Sequence, residues 1–257
     1  MSDRCIWCGG RAANQDVEHI IPEAIGCPPG FTLPGTVVCK RCNNGLAHLD
    51  RALADEFDLS AFLAGVPRKS GKPPLVSSRG NVLASYVDGE PSISFNMERY
   101  AVHAHDGSRL APFGGSSRNV PITVSVEGVF ARVSASVPFG QSPKFVRGLT
   151  KVALSSVAYF LGPNVARSSR FDAVRAYVRD GVGTRHALLQ RSDDDEYRNT
   201  VWAPFKSQQD DFLVPFRLAQ VEFLLDLSPG ETLLPILEAK RRETGNDGGW
   251  CVVPVRG

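Results

Sequence analysis

The chain has 257 residues, 42% of them hydrophobic and 22% charged, with a formal net charge of +2. That is ordinary for a globular protein with a substantial core, and no apolar run approaches the roughly 20 residues that a membrane-spanning helix needs. The N-terminal Met-Ser-Asp-Arg-Cys lacks the apolar core of a signal peptide, and four of the six cysteines fall in two Cys-x-x-Cys pairs. Together these predict a cytoplasmic protein whose thiols bind metal instead of forming disulfides.

Taken in order, residues 1–65 read as a metal-organised module. Cys5-Ile-Trp-Cys8 is followed by Gly9-Gly10, then by Glu18-His19-Ile20-Ile21-Pro22, then by Cys39-Lys40-Arg41-Cys42-Asn43-Asn44. A helix is expected from Cys42 to about Gly65, because Leu46, Leu49, Leu53 and Phe57 recur at spacings of three or four. Residues 66–80 are rich in Gly, Pro, Ser and Lys and read as a linker. Residues 81–257 then form a mixed domain. Alternating stretches at Ser92–Phe95, Ile122–Val126 and Val129–Val137 predict strands, with a hairpin turn at Glu127-Gly128. Ser142-Pro143 caps a helix that Gly162-Pro163 stops, and a second helix is expected over about Ser169–Arg179. Further strands are expected at His186–Gln190, Thr200–Trp202, Phe212–Leu227 and Trp250–Val255.

Charge is unevenly spread. Residues 143–191 hold nine Lys/Arg against Asp172 and Asp180, while residues 192–247 hold twelve acids against six bases. In the basic segment Lys144, Arg147 and Lys151 share one helix face, and Arg175 and Arg179 lie one turn apart, an arrangement that could track a nucleic-acid backbone or simply be a solvated face. Lys40 and Arg41, between the last two cysteines, are further phosphate-contact candidates. His103 and His105 read as structural, and Trp202 and Phe205 as core residues with a base pocket as the alternative.

Four thiolates from two Cys-x-x-Cys pairs are the donor set of a structural zinc site, which is closed and leaves no position for substrate. Chemistry must then come from Glu18, His19 and Asn43. A carboxylate and an amide oxygen suit Mg²⁺ or Mn²⁺, and an imidazole can take a proton from water near neutral pH. Asn44 and His48, which share a helix face, could replace or assist Asn43 as ligand.

In this order of motifs, residues 5 to about 50 resemble a zinc-bearing HNH endonuclease of the ββα-metal fold. The resemblance implies structural zinc on Cys5, Cys8, Cys39 and Cys42, a catalytic divalent ion on Glu18 and Asn43, and His19 as general base. It also implies phosphodiester hydrolysis leaving a 5′-phosphate and a 3′-hydroxyl. The residue supporting His19 stays unassigned, a backbone carbonyl being one option. The expected fold class is α+β, a zinc-bound ββα module followed by an antiparallel-sheet and helix domain serving recognition or regulation. The expected partner is DNA, double-stranded, with a homodimer where both strands are cut and no membrane. The family's habits suggest host defence or restriction of modified DNA. The alternatives are a zinc-stabilised nucleic-acid-binding protein without catalysis and a nuclease effector switched on by a ligand.

Overall fold

The computed structural model describes residues 3–13, 16–67, 82–87, 90–95, 122–127, 130–135, 139–140, 142–192, 194, 196–206, 212–230, 233–245 and 249–253. The chain packs as two compact units, Met1–Ser60 together with Gly140–Gly257, and Ala61–Phe139. These units differ from the expected division into 1–65, a 66–80 linker and 81–257. The cysteine-bearing module and the C-terminal half share one unit, and the residues between them form the other. The physical reason is burial, because a module of this size has too little apolar surface to close a core alone.

In the first unit, Arg4 and Arg11 bridge across the first cysteine pair. Strand β1 (Glu18–His19) pairs antiparallel with β2 (Thr32–Leu33), and helix α1 (Lys40–Leu63) follows. This is the expected ββα order. The predicted stripe of α1 is the buried one: Leu46, Leu49, Leu53 and Phe57 are all under 5% exposed.

What they pack against comes from the far end of the chain. Helix α2 (Pro143–Leu161) starts at Ser142-Pro143 and stops at Gly162, as the sequence predicts. It is buried nearly all round, from Phe145 to Ala158 apart from the half-buried Arg147. It lies over the sheet strands β7 (Ala187–Arg191), β10 (Phe212–Leu218) and β11 (Val221–Asp226), and against β2. Phe57 of α1, Phe145 of α2 and Phe223 of β11 meet with ring centroids 6.2–6.3 Å apart, within the range of favourable edge contacts. One aromatic core thus joins the module to the sheet.

The sheet is wholly antiparallel, in the order β12 (Cys251–Val252), β7, β11, β10, β8 (Thr200–Val201), with β9 (Phe205–Lys206) also on β10. The stretch Phe212–Leu227 is a hairpin that turns at Ala219, which has a φ of 54°. Helices α3 (Pro163–Ala166), α4 (Asp172–Asp180) and α5 (Leu233–Thr244) complete the unit. Helix α4 buries Val174 and Val178 and ends on Gly181 in the left-handed region, where glycine is favoured. Nothing in the sequence reading anticipated α5. Trp202 and Phe205 are exposed, not core residues as expected, because Trp202 follows the two-residue β8 and Phe205 lies on the two-residue β9 at the sheet margin.

Module and C-terminal half come close at Gly148 of α2. A Cβ there would lie 2.8 Å from Leu53 Cγ and 3.0 Å from the Leu49 carbonyl oxygen of α1. Gly148→Ala gains about 1 kcal/mol of helix propensity, but a helix backbone cannot turn a carbonyl aside and overpacking costs about 1–3 kcal/mol. We expect a lower urea midpoint. Gly45→Ala in α1, where a Cβ meets nothing within 4 Å, should raise it.

The second unit contains two described hairpins: β3 (Val82–Val87) with β4 (Glu90–Phe95), and β5 (Ile122–Glu127) with β6 (Phe130–Ala135), both antiparallel. The latter matches the hairpin predicted around Glu127-Gly128. His103 and His105 and most of the 66–80 stretch lie outside the described residues.

Candidate active site

The two Cys-x-x-Cys pairs meet. The Sγ atoms of Cys5, Cys8, Cys39 and Cys42 all lie within 4.8 Å of one another. A tetrahedron with Zn–S bonds of about 2.3 Å has edges of about 3.8 Å. The Cys8–Cys39 separation of 3.7 Å already has that value. The first pair is shaped for the purpose. Cys5 N–H donates to Gly10 O and Gly9 N–H to Cys5 O, with Gly9 at φ 69°, and Trp7 N–H points at Cys5 Sγ from 3.4 Å.

The thiols also behave as a set that wants a cation. The hydrogen bond from Cys42 pulls Cys5 down to about 4, while that same bond and burial push Cys42 up, and burial pushes Cys39 up. One thiolate forms readily and opposes the next, an opposition that a dication removes. The donor set therefore fits a structural metal ion.

Beside it, where Asn43 follows Cys42, lies a second centre. A cleft of about 330 Å³ is lined by Val17, Glu18, His19, Pro22, Glu23, Ala24, Asn43, Asp50, Arg51 and Ala54. All three predicted catalytic residues, Glu18, His19 and Asn43, thus line one space. His19 is brought there by the β1–β2 pairing and is 32% exposed. Its Nε2 lies 4.0 Å from Glu23 Oε1, so a carboxylate supports the ring electrostatically, a role the sequence left unassigned. Asn43, in the first turn of α1, donates its amide N–H to Val17 O at 3.4 Å, so its amide is held at the cleft wall that Val17 also lines.

Asp50 was missed. It stands seven residues after Asn43 on α1, two helical turns on, and therefore on the same face. That spacing was the available signal. His48, the alternative ligand, is exposed, with Nδ1 2.9 Å from Gly45 O of its own helix, and is absent from the cleft lining, as is exposed Asn44.

The largest departure concerns Lys151. Expected on a solvated basic stripe with Lys144 and Arg147, it is fully buried. Its Nζ pairs closely with Glu18, itself 2% exposed, and donates to Asp50 Oδ1 and Oδ2 at 2.7 and 2.8 Å. Burial pushes Glu18 upward, with attraction to Lys151 only partly opposing. For Lys151, burial favours the neutral amine, but Glu18 and Asp50 together hold its pKa above the ordinary value, so it is a cation. A buried charge cluster of this kind persists only when paired.

The remaining basic candidates divide. Lys40, Arg41 and Lys144 are exposed and Arg179 is 41% exposed. Arg147 instead donates to Val178 O and Arg179 O at the C-terminus of α4, and Arg175 donates to Ala166 O and Ser168 O, so these two are spent on backbone carbonyls. Lys151, Arg147 and Arg175, expected either to track a nucleic-acid backbone or to form a solvated face, are thus engaged within the fold. The C-terminal half also ties down the module. Arg167 donates to Arg4 O, Arg179 to Trp7 O, and Tyr197 and Asn199 to Ile25 O in the loop after His19.

The module thus joins a four-cysteine cluster on a ββα unit to a cleft that holds a histidine, acids and an asparagine. Residues 5–58, about a fifth of the chain, match the family model described as HNH endonuclease. No curated protein and no solved structure matches the chain. The family implies a nuclease acting on nucleic acid. Among the described residues no helix is long and apolar enough to cross a membrane.

Proposed function

We propose that this protein is a metal-dependent endonuclease that hydrolyses phosphodiester bonds of duplex DNA in the Glu18–His19–Asn43 cleft. The observation that carries this reading is the convergence of those three residues, joined by Asp50, on one open space beside a four-cysteine metal site. A pure binding module would have no use for that constellation.

Glu18, Asn43 and Asp50 would hold the catalytic Mg²⁺ or Mn²⁺, a hard ion that suits oxygen donors and keeps several waters. When bound, the ion supplies charge neutralisation at the phosphate and the leaving 3′ oxygen. His19 takes the proton of the attacking water, and Glu23, 4.0 Å from Nε2, favours the positive charge that the ring then acquires. Arg51, exposed on the cleft wall, and Lys40 and Arg41, exposed at the start of α1, offer charge to the backbone phosphates. Structural zinc on the four cysteines would hold the N-terminus of α1, and with it Asn43, in register with β1.

The test is incubation of the zinc-loaded protein with supercoiled plasmid and with plain, methylated and hydroxymethylated duplexes in Mg²⁺ or Mn²⁺. Nicking that depends on the divalent ion is expected. DNA binding with no cleavage across all metals and substrates would replace this reading with a non-catalytic one.

A further inference from the structure

We propose that Lys151 is a positioning residue of the nuclease site: its buried ammonium holds the Glu18 and Asp50 carboxylates together so that, with Asn43, they face one divalent ion. This rests on the nuclease reading above. Helix α2 delivers Lys151 from 101 residues beyond Asp50 to the point where acids of β1 and α1 converge. Both acids line the His19 cleft and Lys151 does not, so the ammonium stands behind the cleft floor.

Two features separate this from an incidental ion pair. The first is charge. One ammonium set against both acids offsets their mutual repulsion on the side away from the cleft and leaves their cleft side to a divalent ion. Without the ammonium, the two carboxylates would repel each other with Glu18 almost fully withdrawn from water. The second is access. Residues 148–158 of α2 are buried throughout. A metal ion could not take the place of Nζ without moving the helix, and so binds from the cleft while Lys151 stays paired.

Mn²⁺ binding to the zinc-loaded full-length chain, followed by loss of the free-ion EPR signal, reads this without catalysis. Lys151→Met is expected to weaken Mn²⁺ by roughly 10–100-fold, the usual cost of losing a partner that orients metal ligands, at unchanged zinc content and circular dichroism. Unchanged or tighter binding in the folded variant would overturn the proposal. If the variant does not fold, the lysine ammonium signals of the unmodified protein decide by nitrogen-15 NMR. One slowly exchanging signal is expected to shift and persist on saturation with Mg²⁺. Its loss to exchange with water would mean that the ion displaces Lys151, and the proposal would fail. Should the unmodified protein take up no Mn²⁺ at all, the nuclease reading itself fails, which is a distinct result.

Discussion

Replacing His19 by alanine is expected to slow plasmid nicking by about 10²–10⁴-fold, the range that a positioned general base contributes. The fold should be unaffected. The His19 side chain is a third exposed, and the antiparallel pairing of His19 with Thr32 is made by backbone atoms that alanine retains. Zinc content, melting temperature and Mn²⁺ binding should therefore match the unmodified protein while cleavage is lost. Glu23→Gln tests the supporting carboxylate and should do far less. Glu23 is 48% exposed and 4.0 Å from the ring, and a pair so open to solvent contributes about 0–1 kcal/mol, or up to roughly fivefold in rate. The contrast between the two variants is the discriminating result. Normal cleavage by a well-folded His19→Ala protein would move the base elsewhere, and an equal loss in both would make Glu23 a direct participant.

What could be read from sequence here was chemistry carried by short spacings. The two Cys-x-x-Cys pairs, the Glu18-His19 dipeptide and Asn43 each announce a donor type, and the turn and helix geometry that assembles them is local. The stripe of α1 and the Ser142-Pro143 start of α2 were legible for the same reason, since periodicity and capping act within a few residues. Lys151 was misread because its periodic neighbours Lys144 and Arg147 place it on a polar helix face, and only the fold reveals that acids wait on that side. Two oppositely charged residues far apart in sequence carry no mark of their pairing. Asp50 lay within reach of helical geometry, but His48 drew attention as the more familiar ligand type. The division of the chain differs from the expected one on similar grounds. A Gly/Pro/Lys-rich stretch does mark a change of unit, yet nothing in it indicates that the chain returns at Gly140 to complete the unit it left at Ser60.

Removing the thiolate-bound metal should have the largest structural effect. Apparent binding free energies of structural zinc at four-ligand sites are about 10–16 kcal/mol, as large as the whole stability of a typical domain. The knuckle is expected to depend on it. Cys5, Ile6 and Trp7 are at most 1% exposed, yet they sit in a turn of glycines and thiols with no strand or helix of their own. The aromatic core of α1, α2 and the sheet has its own apolar packing, so chelation should collapse the knuckle and release Asn43 while much of the helix and sheet signal survives. Trp7 reports this directly, being buried where Trp202 is 42% exposed, and its emission should shift to the red on chelation. Thiol titration gives a count that can fail. With metal bound, exposed Cys251 should react at once, and Cys27, half-buried with its thiol donating to Phe31 O at 3.3 Å, should react slowly. The remaining four should react only after chelation. Cys39→Ser should lose metal, cleavage and the buried emission of Trp7 together. Six thiols reacting alike before chelation, or full cleavage after it, would mean that the four cysteines bind no structural ion and that Asn43 is held by packing on α2 alone.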